Sequence, residues 1–137
     1  MNQQVMLIVL PVSLLMMMVS LFVYMQLRCR IRHPWERGKQ PLVSETFSGV
    51  VGRQRFRGPF IGLRLYKDML VISSIRPWLV PFEDIQAVRI CTDYKKKAFC
   101  IYHDSNVLPK TMVIFSGNPA ADVELIMGVI KDWKMNS

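Results

Sequence analysis

The 137-residue chain has only two histidines and three cysteines, and neither type is grouped. His33 and His103 lie far apart, while Cys29, Cys91 and Cys100 form no CxxC pair and have no histidine at zinc-finger spacing, so spacing argues against a metal site. The odd number of cysteines argues against a disulfide scaffold. Phosphate-loop, dinucleotide, GxSxG and zinc-protease motifs are all missing. Gly49-Val50-Val51-Gly52 lies in a strand pattern and lacks the flanking helices that a nucleic-acid GxxG loop needs. Carboxylates are scarce, ten against eighteen lysines and arginines, for a net charge of +8. No nucleophile, base or acid pair has a telling spacing. The chain is therefore read as a non-enzyme without catalytic residues, metal, cofactor or small-molecule substrate. With 51% hydrophobic and 20% charged residues it is not a disordered tail, and its length allows one domain.

What the sequence does have is one long apolar run. Val5 to Leu27 contains no charged side chain and includes Met6, Met16, Met17, Met18 and Met25. As a helix it would be roughly 35 Å long, enough to cross a hydrocarbon core of about 30 Å with some tilt. Pro11, Ser13 and Ser20 are tolerated in such a helix. A cleaved signal would need a basic start and a shorter apolar stretch, but Met1 to Gln4 carries no basic side chain. Residues 5–27 are thus expected to be an uncleaved transmembrane helix. Arg28, Arg30, Arg32, Arg37 and Lys39 follow it, opposed only by Glu36. By the positive-inside bias the N-terminus lies outside and the rest of the chain in the cytoplasm, on the plasma (inner) membrane. Tyr24 and Trp35 suit the headgroup level. The membrane-flanking cations are assigned to topology in preference to docking on a particular lipid.

Residues 28–41 read as a basic juxtamembrane connector broken by His33, Pro34, Gly38 and Pro41, and residues 42–137 as the folded domain. There the periodicity becomes that of strands, with turn signals every eight to twelve residues. Strands are expected at Glu45–Val51, Phe60–Tyr66, Met69–Ser74, Trp78–Phe82, Glu83–Cys91, Ala98–His103 and Thr111–Phe115. If Asp93 to Lys97 forms a hairpin turn, Cys91 and Cys100 fall opposite each other and, in a reducing cytoplasm, remain thiols. Cys29 at the membrane edge would be a palmitoylation candidate in a eukaryote. The last element is helical: Asn118 is an N-cap, Pro119 suits the first position, and Asp122 and Glu124 complement the helix dipole. Val123, Ile126, Met127, Ile130 and Trp133 recur as one apolar stripe that must lie on the sheet.

The run Leu63-Arg64-Leu65-Tyr66-Lys67-Asp68-Met69-Leu70-Val71-Ile72-Ser73, followed by Arg76-Pro77-Trp78-Leu79-Val80-Pro81-Phe82-Glu83-Asp84-Ile85, resembles bacterial PH-like and GRAM-like domains. Small bacterial single-span membrane proteins carry such domains, and the likeness covers about the last two-thirds of the chain. It implies an α+β fold, in which the transmembrane helix precedes a PH-like bent antiparallel barrel of about seven strands closed by a C-terminal amphipathic helix. In physical terms Pro81 ends a strand, Phe82 and Ile85 enter the core, and Glu83 and Asp84 satisfy turn amides.

Gly52-Arg53-Gln54-Arg55-Phe56-Arg57-Gly58 is the one chemically suggestive segment. Its three arginines alternate, so on a strand they would share a face, and guanidinium forks suit phosphate. The resemblance places Arg53, Arg55 and Arg57 where phosphoinositide-binding PH domains hold a headgroup. The plainer reading is a charged edge strand that discourages aggregation. Nucleic acid is not expected, because residues 28–39 carry five basic side chains and one acidic, a net +4 of the chain's +8, which leaves the domain only mildly basic. The expected function is a membrane-anchored cytoplasmic interaction module that touches lipid through its anchor and binds a protein partner. The alternative is an anionic-lipid or phosphate-headgroup sensor using Arg53, Arg55 and Arg57.

Overall fold

The computed structural model describes residues 2–93 and 95–137. Its order is helix α1 (Gln3–Cys29), a single 3-10 turn at Pro34–Glu36, strands β1 (Val43–Val51), β2 (Gln54–Leu65), β3 (Met69–Ser73) and β4 (Pro77–Pro81), a second 3-10 turn at Phe82–Asp84, strands β5 (Ile85–Asp93), β6 (Lys96–His103) and β7 (Met112–Phe115), and helix α2 (Pro119–Asn136). The seven strands form one bent antiparallel sheet in the order β4-β3-β2-β1-β7-β6-β5. With the apolar N-terminal helix and the C-terminal helix, this is the expected α+β arrangement.

α1 is long and apolar enough to span a membrane, and none of its most apolar stretch is buried within the protein. That exposure separates it from a core helix, whose apolar side chains would be covered.

Both halves of the sheet feed a single core. Ile61, Leu65, Leu70 and Ile72 from β2 and β3 are wholly buried, as are Phe82 and, from β6 and β7, Phe99 and Ile114. Phe47 meets Phe99 edge-on across the bend. The bend requires close approach at Gly49, where any Cβ would strike the Val113 carbonyl oxygen of β7. α2 starts as anticipated, with the Asn118 side chain accepting from the Ala121 N–H and Pro119 in the first turn. Its buried face differs in one residue. Ile126 and Ile130 are buried and Val123, Val129 and Trp133 pack on the core, whereas Met127 is exposed. Trp133 meets Phe82 edge-on at 5.8 Å.

Two local expectations are corrected, and one residue has an unforeseen neighbour. The turn after Pro81 is closed by the backbone, the Ile85 N–H reaching the Phe82 carbonyl. Trp35 lies edge-on against Tyr66 of the domain, 5.2 Å between ring centres, a contact its sequence position does not announce. Cys91 faces Ala98 and Cys100 faces Arg89, so the two cysteines are diagonal neighbours, and they are joined as a disulfide with Cα atoms 6.1 Å apart. Tyr94, within the expected turn, lies outside the described residues.

β2 is longer than the alternation of its sequence suggests, and its first half is irregular. Phe47 of β1 pairs with Ile61, but Gly49 pairs with Phe56, so Arg57, Gly58, Pro59 and Phe60 bulge out opposite Ser48 alone. β3 pairs only with Gly62–Leu65, which leaves β2 without a β3 partner from Gln54 to Ile61. Proline is tolerated there because no ladder bond is lost.

Candidate functional site

The last turns of α1 lie against this bulge. Gln26 Nε2 donates to the Pro59 carbonyl at 3.1 Å, and the buried Cys29 thiol lies 3.9 Å from the same oxygen. Phe22 meets Phe60 edge-on at 5.3 Å, and Met25 packs on the core. Gly62 makes the approach possible, since a Cβ at that position would collide with the Cys29 carbonyl oxygen. A helix thus covers what would otherwise be an exposed strand edge.

The connector is docked as well. His33 to Glu36 forms a capping box around one 3-10 turn: the Trp35 N–H donates to His33 Nδ1 at 3.1 Å, and the His33 N–H donates to Glu36 Oε2 at 2.6 Å. Glu36 is 1% exposed and enters a polar node beneath β2 and β3. Arg64 donates from Nε to Glu36 Oε1 at 2.5 Å and from Nη2 to Oε2 at 3.0 Å. The same Nη2 reaches Ser73 Oγ at 2.7 Å and the Ile31 carbonyl at 3.1 Å. The Tyr66 hydroxyl donates to Glu36 Oε1 at 2.7 Å. Burial pushes the Glu36 carboxyl up, but the donors Arg64, Tyr66 and His33, together with the Arg64 charge, outweigh it and hold the pKa below the ordinary carboxylate value. Burial and the Glu36 carboxylate push the Tyr66 hydroxyl up. The node is an ion pair with its remaining hydrogen bonds made, the arrangement that a buried charge requires.

The flanking cations do different things. Arg28 donates to the Tyr24 hydroxyl at 2.9 Å, and Lys39 Nζ sits 3.3 Å above the Trp35 ring. Arg30 and Arg32 are exposed and line a polar recess of about 470 Å³ with Ser44, Glu45, Thr46 and Arg64. Arg37 is exposed.

The three alternating arginines are divided. Arg53 is in the turn between β1 and β2, outside the strand. Arg55 lies 3.5 Å from the Asp93 carboxylate and over the Phe115 ring. Arg57 opens the bulge. Arg55 and Arg57, with Phe56 and Phe60, face Met18, Leu21, Phe22 and Met25 of α1 across a groove of about 650 Å³. The site therefore holds two of the three expected arginines, and its second wall is α1 itself.

The two ends of the sheet also differ. β4 begins and finishes with proline, Pro77 and Pro81, which weakens it as a template for another strand. Among the described residues, β5 pairs with no strand other than β6; α2 packs against it and Asp93 holds Arg55, while Ile90 on it is 57% exposed. No family model matches the chain, and no curated protein matches it.

Proposed function

We propose that the chain is a non-enzymatic, single-pass membrane protein whose PH-like domain holds a protein partner along the unpaired edge of β5. The observation that carries this reading is the contrast between the two sheet edges, one capped by prolines and the other a nine-residue strand with an unpaired side. An added strand would gain main-chain hydrogen bonds there, with Ile90 offering apolar contact. The order of seven strands and a terminal helix supports the PH-like assignment.

The domain is assigned to the cytoplasmic face of the inner membrane on the strength of Arg28, Arg30, Arg32, Arg37 and Lys39 following the span. The Cys91–Cys100 bond points the other way, because stable disulfides belong to oxidising compartments. The flank is given the greater weight here, since charge beside a span acts during insertion. On this assignment a reducing cytosol would open the Cys91–Cys100 bond, which would close again on oxidation.

A photo-crosslinking residue placed at Ile90, compared with one at exposed Ile75 beside β4, tests the partner reading in native membranes. Discrete adducts from position 90 that are absent from position 75 are expected. No adduct at 90, or the same adducts at both, removes the reading.

A further inference from the structure

We infer that the groove between α1 and the β2 bulge holds one anionic phospholipid of the surrounding bilayer, with its phosphate on Arg57 and an acyl chain along Leu21 and Phe22. This goes beyond the protein-partner reading and does not depend on it. It also differs from the headgroup clamp expected of three arginines, because Arg53 takes no part and the anchor supplies half of the site.

Three observations carry the inference. First, the apolar wall belongs to the membrane-spanning helix. Met18, Leu21 and Phe22 are 62%, 60% and 52% exposed within the protein, so hydrocarbon surrounds them once α1 is in a bilayer. Second, the facing wall is cationic, with Arg55 and Arg57 flanking buried Phe56. Arg55 is engaged by Asp93, whereas among the described residues no carboxylate pairs with Arg57. A guanidinium beside hydrocarbon seeks an anion, and the phosphate layer is the anion within its reach. Third, the depth is right. Met18 lies eleven residues before Cys29, roughly 16 Å down the helix, so the groove runs from the headgroup layer into the upper acyl region. Docking by Gln26, Cys29 and Gly62 keeps its walls together. An apolar peptide would fill the lower wall but would bring no charge for Arg57.

The test uses the full chain in vesicles of equal parts phosphatidylcholine and phosphatidylglycerol. A photo-crosslinking residue is placed at Leu21, and a second at Val23 on the opposite side of the helix. Adducts at position 21 are expected to favour phosphatidylglycerol about fivefold, and at position 23 to show little preference. Arg57→Gln should abolish the preference, while Arg53→Gln should keep it. Equal labelling of both lipids at position 21 overturns the inference. So does the same preference at position 23, which would mean a general attraction of the basic flank, or a preference that survives Arg57→Gln. Circular dichroism of Arg57→Gln like that of the wild type shows that a lost preference is not lost folding.

Discussion

The carbonyl oxygen of Cys29 rests on Gly62 so closely that no side chain fits between them, and this contact fastens α1 to the domain. Gly62→Ala should prise the two apart at a cost of about 1 to 3 kcal/mol. Alkylation of Cys29, wholly buried in the native protein, is the readout. Faster labelling in the variant than in the wild type is expected, and unchanged labelling would show that the anchor does not bear on β2.

Removing the carboxylate of Glu36 leaves the Arg64 guanidinium buried without its partner. Glu36→Ala should destabilise the protein by about 3 to 5 kcal/mol, measured by thermal unfolding of the full chain in micelles. Arg64→Ala alone should cost a similar amount, and the double variant less than the sum of the two. Strict additivity would mean that the two side chains do not act as a pair.

Acid should weaken the same node. The folded Glu36 carboxyl titrates below its unfolded value of about 4.3, so its contribution is complete above that pH and is lost as pH falls through the lower folded value. Melting temperatures of the wild type are expected to fall more steeply with acidification over that window than those of Glu36→Gln. Parallel curves would count against the ion pair.

Along α2 the effect of truncation should follow burial. Ile130→Ala removes a side chain that is 2% exposed and should cost about 2 to 5 kcal/mol, while Met127→Ala, on the exposed side, should be nearly silent. Equal effects would show that the helix does not lie on the sheet through this face.

Orientation and cysteine state can be measured together. A reporter active only in the cytoplasm, fused after Ser137, should give signal, and mass-tagging of thiols in intact cells should find Cys91 and Cys100 reduced. Treatment of permeabilised cells with diamide should then close the pair. A silent reporter with both cysteines oxidised from the start would invert the topology.

The strands were largely legible because alternation and turn residues agree along most of the domain, as at Met69–Ser73 followed by Pro77–Pro81. β2 was shortened in the reading because Gly58-Pro59 looks like an interruption, and only pairing partners reveal that an interruption can be a bulge. Val129 replaced Met127 on the buried face of α2: both positions flank the stripe of Ile126, Ile130 and Trp133, and periodicity alone does not choose between them. The Glu36 node was missed since its members are spread from position 31 to 73 and their meeting depends on the fold. Two signals were present all the same: a carboxylate three residues after His33 with proline between them, and Arg64 as the one charged residue in the stretch from Phe60 to Tyr66. The arginine alternation was visible, but the bulge that turns Arg57 toward the anchor was not.

A domain on a flexible tether samples a hemisphere above the bilayer, and any partner must wait for the right orientation. With Ile31 and Glu36 bonded to Arg64 of β2 and Ser73 of β3, the connector is fastened to this domain, so that the edge of β5 keeps one azimuth about the helix axis. A partner of the kind proposed, confined to the same membrane, would meet a surface already aligned in the plane, so that little rotational freedom would remain to be lost on association.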